Sequence, residues 1–401
     1  MTIGFRLRLL VLVCLCMLPL VALGEATPTD MEPLPLAEDI TADCKLSGSG
    51  HMDYIRDKAY NTIWDSSYQN GKAALTITAP AGRTLGGIMI HWWRFPLTIT
   101  IQTPDGQGGW RDVQSVEGKY YAQYYPLDGL TQVRIVHQKD RSEPLKMLEI
   151  TVMTPGQLPE NFQLWEDPPE KVDMMVLHGH PDDEILWFGG LLPTYGGQEG
   201  KNVLVVCATA GMYARRHELL DCLWTCGIRT YPVFCPFTDV ITSNMNTVLD
   251  TWGRDTVLSY VTELYRKYKP DVVVTQDVSG EYGHGVHRAI SYAARTAVEY
   301  AADETKYPDQ ASEYGVWDVP KMYVHLYGEN QIRMDWWQPL SAFGGMTAQD
   351  VAREAFLCHK TQQDRGWAVL DGGKLDNSLF GLYHTTVGPD VIGGDMFENL
   401  R

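Results

Sequence analysis

The sequence has few basic residues for its length. Lysine and arginine together number 33, against 50 aspartates and glutamates, and the formal net charge is -17 at pH 7. Proteins that bind nucleic acid or anionic membranes electrostatically carry basic stripes that neutralise phosphates, and no such stripe occurs here. The composition therefore argues against nucleic acid and anionic membrane surfaces as partners.

Internal repeats, low-complexity segments and a Gly-x-Ser-x-Gly motif are also missing. Without that motif the chain lacks the nucleophile elbow of an α/β-hydrolase, so a serine hydrolase finds little support. A hydrophobic content of 44% with 21% charged residues is that of an ordinary globular protein. A length of 401 residues is sufficient for two or three domains.

One long uncharged run does occur, at the N-terminus. Arg6 and Arg8 precede an uncharged segment over residues 9–23, and the sequence Ala22-Leu23-Gly24 at its end offers small residues for a cleavage site. This arrangement predicts a secretory signal peptide over residues 1–24, and therefore an exported, secreted or extracellular protein. An uncleaved membrane anchor is the alternative, although the run is short for a span. After cleavage we expect no membrane-spanning segment.

The cysteines do not define a disulfide framework. Two of the eight lie in the predicted signal peptide, Cys207 lies in an apolar run typical of a buried strand, and Cys222 and Cys226 lie on a predicted helix. An exported protein can form disulfides, but sequence alone selects no pairing among the remaining cysteines. Free buried thiols are at least as well supported.

Residues 40–154 have the pattern of an all-β domain. Short apolar or alternating segments are separated by turn signals such as Pro80–Gly82 and Pro104–Gly109. Strands at this spacing predict an antiparallel sandwich. The predicted strands are 74–79, 87–92, 97–102, 133–137 and 147–152.

This region resembles the discoidin-like, coagulation-factor C-type family of jelly-roll sandwiches. The matching motifs are Asp57 with Asn61–Trp64, the strand 88–92, Asp105-Gly106 with Trp110 and Val113, and the strand 148–152. The resemblance implies a domain that can bind carbohydrate through loops at one end, and a structural spacer without ligand is an equally open alternative. Exposed aromatic residues would favour binding. The candidates are Tyr120, Tyr121, Tyr124 and Tyr125.

Proline and acidic residues mark residues 155–171 as a linker. From residue 172 to 401, apolar strands alternate with amphipathic helices. This alternation predicts an α/β domain with a Rossmann-like, mostly parallel sheet and helices on both faces. The predicted strands are 174–177, 203–207, 271–275 and 321–326, and the predicted helices are 215–226, 256–268, 287–302 and 348–359.

Two polar loops that each follow a predicted strand carry the candidate chemistry. His180 and Asp183 lie three apart after the first strand of the α/β region, and His284 and His287 lie three apart in a glycine-rich loop after the third. In a parallel sheet both loops open at the same edge, where such folds bind ligands. Histidines and carboxylates that converge there predict a metal site. Zinc in a hydrolase takes three protein ligands and keeps a position for water.

At His180-Pro-Asp-Asp-Glu184 the sequence resembles the PIG-L (LmbE-like) family of zinc-dependent N-acetylglucosaminyl deacetylases. The likeness covers roughly residues 172–362, about half of the chain. It continues in order through Arg215-x2-Glu218, Tyr282-Gly-His284-x2-His287 and Leu357-x-His359-Lys-Thr-Gln362.

The resemblance implies roles for six residues. The ligands of one zinc ion, or of another divalent metal such as Fe²⁺, would be His180, Asp183 and His287. Asp182 would be the general base, and His284 would stabilise the oxyanion or act as general acid. Arg215 would lie near the substrate.

One position departs from the family pattern, because relatives often carry aspartate before the last histidine and this chain has Val286. Other ionisable residues receive structural expectations. We expect His178 and His325 to be packed or supporting histidines, Glu184 to support the loop or begin a helix, and His217 to be exposed.

The sequence thus predicts a secreted zinc-dependent N-deacetylase, which hydrolyses the acetamide of an N-acetylglucosamine-type sugar or glycoconjugate to free amine and acetate. The alternative is a glycan-binding protein whose hydrolase domain is catalytically idle. The complete set of predicted ligands and base favours the enzyme. The expected partner is an amino-sugar or glycan substrate, and the oligomeric state is left open.

Overall fold

A computed structural model describes residues 34–66, 74–94, 98–137 and 144–400. The predicted signal peptide, residues 1–24, lies outside these described residues. Within them, the helices are all too short or too polar to cross a bilayer. The residues from Leu36 onward belong to one compact unit.

The N-terminal region forms two antiparallel sheets. Their strands are β1 Lys45–Ser47, β2 Trp64–Asp65, β3 Ala74–Thr78, β4 Leu85–Trp92, β5 Thr98–Pro104, β6 Trp110–Glu117, β7 Ala122–Leu130, β8 Gln132–His137 and β9 Lys146–Met153. One sheet has the order β1-β3-β8-β5-β6 and the other the order β2-β9-β4-β7. Alternate residues of both, such as Leu75 and Ile77 of β3 and Ile88 and Ile90 of β4, are fully buried in one shared core. The predicted antiparallel sandwich is therefore present, and its jelly-roll assignment stays a prediction.

The C-terminal region is an α/β domain. Its strands are β10 Met174–His178, β11 Val203–Cys207, β12 Val233–Phe234, β13 Val272–Thr275, β14 Lys321–His325, β15 Gln331–Arg333 and β16 Leu379–Thr385. Its helices are α1 Asp183–Leu186, α2 Tyr213–Thr225, α3 Met245–Trp252, α4 Arg254–Tyr268, α5 Gly285–Ala302, α6 Pro308–Tyr314 and α7 Ala348–Phe356.

The sheet of this domain has the order β12-β11-β10-β13-β14-β16-β15. The strands from β12 to β14 are parallel to one another, and β16 pairs antiparallel with both β14 and β15. The α/β class is confirmed, with an antiparallel edge that the sequence did not predict. Because β10 lies between β11 and β13, the loops that follow these three strands open at the same edge.

Both faces of this sheet are covered, as the continuous apolar strands require. Met174 and Val176 of β10 pack into a cluster with α2 and α7. Met175 and Leu177 point to the other face and pack into a cluster with α4 and α5. The central strand is therefore held from both sides, which fixes the loop that follows it.

The sandwich and the α/β domain share an interface along α2. Met89 of β4 and Ala122 of β7 belong to the same apolar cluster as α2. The four candidate glycan-binding tyrosines are used elsewhere: Tyr120, Tyr121 and Tyr124 pack against this cluster, and Tyr125 is buried in the sandwich core.

The predicted linker also packs against the α/β domain. Trp165 is 8% exposed, and its ring makes edge contacts with Trp224 and Tyr231 at centroid distances of 5.3 and 5.7 Å. Residues 155–171 therefore join the two regions with Trp165 packed against the α/β domain.

The six cysteines in the described part of the chain are free thiols.

Candidate active site

The loop after β10 is held in a tight conformation. A Cβ atom on Gly179 would lie 3.0 Å from both His287 Cδ2 and Val286 Cγ1, so glycine lets this loop approach the start of α5. The Gly179 carbonyl accepts hydrogen bonds from the backbone N–H and the hydroxyl of Thr209, both at 2.8 Å. The Gly179 N–H donates to Gln276 Oε1 at 2.8 Å. Residues after β11 and β13 therefore fix the loop after β10.

Three donor atoms lie at the corners of a nearly equilateral triangle. His180 Nδ1 is 3.1 Å from His287 Nε2 and 3.2 Å from Asp183 Oδ2. The distance from His287 Nε2 to Asp183 Oδ2 is also 3.2 Å. Ligands of a tetrahedral zinc ion with bonds of about 2.0–2.1 Å are separated by about 3.3 Å, so these residues fit a metal ion.

Each corner of the triangle has a supporting hydrogen bond. Trp187 Nε1 donates to Asp183 Oδ1 at 2.7 Å, and His180 Nε2 lies 3.1 Å from Asp239 Oδ1. His287 Nδ1 lies 2.9 Å from Glu281 Oε2. Metal-ligating histidines use such carboxylate partners to fix their ring orientation and tautomer.

Glu281 is shared between two histidines. Its other oxygen, Oε1, lies 2.7 Å from Nδ1 of His325, at the end of β14. His287, Glu281 and His325 are all fully buried. His325 is thus a supporting residue, as expected, and it acts through a carboxylate that the sequence analysis did not single out.

Negative charge dominates the electrostatics of this site. Burial alone lowers the pKa of His287, but the carboxylates of Asp183 and Glu281 reverse this effect and raise it to about 10. Burial opposes ionisation of Asp183, yet the imidazoles of His287 and His180 hold the pKa of its carboxyl well below the ordinary value. A donor set of two imidazoles and one carboxylate, with a further carboxylate behind His287, suits a divalent cation such as zinc.

Asp182 lies next to the triangle and is 5% exposed. Arg215 Nη2 donates to its Oδ1 at 2.8 Å and also to the carbonyl of Pro181. Burial raises the pKa of Asp182 to about 7, an effect that Arg215 opposes and Asp183 reinforces. Arg215 Nε is buried and finds no hydrogen-bond acceptor among the residues that the structure describes.

His284 caps α5. Its Nδ1 accepts a hydrogen bond from the Val286 N–H at 3.3 Å, so in the neutral ring Nε2 carries the proton. Burial first, and then the neighbouring His180 and His287, lower the pKa of His284 to about 4. Val286 itself is fully buried in the apolar cluster beneath α5. A backbone N–H, and not a carboxylate at position 286, therefore orients His284.

One side of the site is aromatic. The Tyr282 ring lies 5.2 Å from His287 and 5.0 Å from Trp367, measured between centroids, and Trp187 lies 5.6 Å from Trp367. Tyr282 is 51% exposed. It also has a φ of 45°, which is unusual for a residue other than glycine. Arg215 and Asp239 bring polar groups to the same site, through their contacts with Asp182 and His180.

Two other groupings of possible ligands fit a metal less well. The donor atoms of His180, His284 and His287 lie within 4.8 Å of one another, whereas Asp183 Oδ2 lies 3.2 Å from the donor atoms of both His180 and His287. Glu184, Cys222 and His359 form a second, fully buried group. There, Glu184 Oε1 and His359 Nε2 are 2.7 Å apart, which is the length of a hydrogen bond within an ion pair.

The structure brings all six predicted site residues together: Asp182 and His284 flank the triangle of His180, Asp183 and His287, and Arg215 contacts Asp182. Their catalytic and ligand roles stay predictions. His178 is buried, and its Nδ1 donates to the His180 carbonyl at 2.8 Å.

The prediction of an exposed His217 is wrong, because the sandwich covers this face of α2. His217 is 1% exposed. Its Nε2 donates to the Trp92 carbonyl at 3.0 Å, and its Nδ1 lies 3.2 Å from Nδ1 of His91.

The sequence analysis did not predict four residues of the site: Glu281, Asp239, Trp187 and Trp367. A signal existed for Glu281, since a carboxylate in the same loop as a ligating histidine is a common partner of it.

Comparison with known proteins places the site in a family context. Residues 175–298 match the profile of a family described as PIG-L, GlcNAc-PI de-N-acetylase. A 1D-myo-inositol 2-acetamido-2-deoxy-alpha-D-glucopyranoside deacetylase of Saccharopolyspora erythraea is 31% identical over 226 residues, which span 49% of this chain and 76% of that protein. A deacetylase of the same name from Catenulispora acidiphila is 29% identical over 180 residues, which span 37% of this chain and 54% of that protein.

Among solved structures, the N,N'-diacetylchitobiose deacetylase from Pyrococcus horikoshii matches with 17% identity and a TM-score of 0.38. The match covers 50% of this chain and 74% of that one.

Proposed function

The chain belongs to the PIG-L family and is a hydrolase that deacetylates N-acetyl sugars, and we propose that it is a zinc-dependent N-deacetylase of an N-acetylglucosamine-type glycoconjugate. It would hydrolyse the acetamide to a free amine and acetate. The observation that carries the proposal is the triangle of His180, Asp183 and His287 donor atoms with the buried Asp182 beside it.

His180, Asp183 and His287 would hold a zinc ion, which would supply Lewis-acid activation of water and of a carbonyl group at neutral pH. The protein's own contribution begins with Asp182. Arg215 engages Asp182 Oδ1, which leaves Oδ2 to accept a proton from the attacking water. Burial raises the pKa of Asp182 to about 7, close to the value that suits a general base at neutral pH.

His284 is suited to stabilise the developing oxyanion. Because its Nδ1 accepts the Val286 N–H, its Nε2–H is the group free to donate a hydrogen bond. Its lowered pKa keeps the ring neutral near pH 7. These features favour a neutral donor over an imidazolium acid, and one such donor contributes about 2.7–4 kcal/mol to transition-state stabilisation.

The aromatic and polar groups of the site suit an amino sugar. Tyr282 and Trp367 offer aromatic surface to the apolar face of a pyranose ring. Arg215 and Asp239 offer a donor and an acceptor for its hydroxyl and amide groups. Asp239 has a side chain that is 45% exposed and thus remains accessible.

The nature of the glycoconjugate is part of the proposal. The relatives named above are deacetylases of a 2-acetamido-2-deoxy-glucopyranoside of inositol, which supports a glucosamine-type product. The chain spans about half the length of one of them.

The proposal also includes export through a signal peptide at residues 1–24 and a discoidin-like sandwich over residues 40–154.

The test uses the conservative variant Asp182→Asn. We expect acetate release from N-acetylglucosamine, its inositol glycoside and N,N'-diacetylchitobiose to fall at least about 100-fold, since general-base catalysis typically contributes this much. Zinc content by mass spectrometry should be unchanged. Asp250→Asn, on the exposed side of α3, is the matched control. Wild-type turnover in Asp182→Asn would refute the assigned base.

A further inference from the structure

The backbone of Asp182 has a strained conformation that neighbouring residues must stabilise. Its φ is 115° and its ψ is -26°, in a region that residues other than glycine rarely adopt. Such strain persists only where the surroundings over-determine it. The Asp182 N–H donates a hydrogen bond to Glu184 Oε2 at 2.8 Å, so the glutamate two residues later holds this strained peptide in place.

Glu184 is in turn held by a distant part of the chain. Its Oε1 accepts a hydrogen bond of 2.7 Å from Nε2 of His359, three residues beyond the end of α7. Both side chains are fully buried. A buried, charge-assisted bond of this length is directional as well as strong, so the imidazole sets the position of the carboxylate.

The same segment also forms hydrogen bonds with α2. The N–H and hydroxyl of Thr361 donate to the two carboxylate oxygens of Glu218 at 2.8 and 2.7 Å. Glu218 lies one helical turn after Arg215, which is bonded to Asp182 Oδ1. A closed circuit therefore runs through these residues, made of hydrogen bonds and of two short chain segments, 359–361 and 215–218. Its members are Asp182, Glu184, His359, Thr361, Glu218 and Arg215.

This circuit fixes Asp182 at two points, the backbone N–H through Glu184 and the carboxylate through Arg215. The strained peptide and the buried Glu184–His359 pair would both be costly without a compensating role. His359 and Thr361 lie outside the stretch 175–298 that matches the family profile. The circuit therefore connects the C-terminal part of the domain to the site.

We propose that His359 is a positioning residue of the deacetylase, which acts through Glu184 to orient the general base Asp182. It does not touch the substrate. The inference rests on the proposed function, because the orientation of Asp182 matters for turnover only if Asp182 takes the proton.

The first experiment compares His359→Leu with His359→Gln. Misplacement of a catalytic group by about 1 Å can cost about 100-fold in rate, so we expect kcat of His359→Leu to fall by about that factor. The KM for N,N'-diacetylchitobiose and the zinc content should change less than twofold. Gln offers an Nε2 donor near the imidazole Nε2 and should recover most of the loss. His384→Leu, in the partly exposed part of β16, is the control and should retain wild-type kcat.

The second experiment places His359→Leu in the Asp182→Asn background. If His359 acts through Asp182, the second substitution lowers the residual rate no further. An equal loss in both backgrounds would overturn the inference, because it would assign His359 a general structural effect. Wild-type kcat in a folded His359→Leu protein would overturn it as well.

A crystal structure of His359→Leu separates this inference from the proposed function. We expect Asp182 to leave its positive φ or its carboxylate to leave Arg215. An unchanged Asp182 would refute the positioning role, whatever the activity. If Asp182→Asn alone keeps full turnover, the base assignment fails, and a displaced Asp182 in the crystal would still establish the structural link.

Discussion

Replacement of Glu281 by glutamine tests whether the carboxylate behind His287 tunes a metal site. Glu281 is fully buried and lies between two imidazole Nδ1 atoms, at 2.9 Å from His287 and 2.7 Å from His325. Burial favours its protonated form, yet these two histidines lower the pKa of Glu281 to about 2. It is therefore a carboxylate that accepts from both rings.

Glutamine keeps the shape but presents one oxygen and one NH₂ group. One imidazole N–H then faces another donor in a buried site, and the negative charge next to His287 is lost. A hydrogen bond to a charged group contributes about 1.5–3 kcal/mol, which corresponds to roughly 10- to 100-fold in affinity. Partners of metal-ligating histidines have effects of the same size. We therefore expect the zinc Kd of Glu281→Gln to rise roughly 10- to 100-fold.

The assay titrates zinc into metal-free protein against a competing chromophoric chelator at pH 7. Glu299→Gln, on the exposed side of α5, changes the same charge without contacting the site and should keep the wild-type Kd. A Glu281→Gln protein with a Kd within twofold of wild type would refute the reasoning, since it would show that His287 binds no metal or needs no carboxylate behind it.

Three other predictions follow from the site and the domain interface. Trp367→Ala should raise the KM for an N-acetylglucosamine conjugate about 3- to 10-fold in steady-state kinetics, because stacking on an aromatic ring contributes about 0.5–1.5 kcal/mol; an unchanged KM would remove Trp367 from the sugar site. The value of kcat/KM should fall as the pH is lowered, with a midpoint at or below pH 7, because Asp182 has a pKa of about 7 and a bound cation lowers that pKa. A kcat/KM that is constant between pH 5 and 8 would contradict this. Burial lowers the pKa of His91 from 6.5 to about 4, so its contribution to stability is present above pH 6.5 and is lost as the pH falls toward 4. Denaturant unfolding should show a loss of about 3 kcal/mol over this range, and His91→Gln should show a smaller acid effect than wild type; an equal effect would show that other groups cause the loss.

The sequence predicted the parts of the fold that have strong local signals. The buried parallel strands are continuous apolar runs, and the loops that carry the predicted ligands follow two of them directly. The missed strands have weaker signals. In the edge strand β6 no residue is fully buried, and β7 contains Pro126 and Gly129, which are residues that sequence patterns assign to turns.

The predicted site residues were accessible from sequence because they cluster in short motifs. Two of the residues that were missed reach the site by tertiary structure alone. Trp367 comes from the C-terminal part of the chain, and Asp239 from the loop that follows β12. His217 looked exposed because a helix pattern cannot reveal that another domain covers it. The interface with the sandwich, where Arg216 lies 4.3 Å from the Tyr121 ring, supplies that cover.

This interface also indicates a structural role for the sandwich. α2 presents Arg215 to Asp182 on one side and His217 to the sandwich on another. Tyr60 packs against His217 at a centroid distance of 4.9 Å and donates to Asp221. The sandwich thus braces the helix that carries a site residue.

The most direct test of the metal site couples metal content to acetate release in the purified protein and its His287→Ala variant. We predict close to one zinc per chain together with acetate release from an N-acetylglucosamine conjugate, and the loss of both in the folded variant. A folded, zinc-supplied wild-type protein that holds no metal would contradict the account, and so would a His287→Ala protein that retains both zinc and turnover.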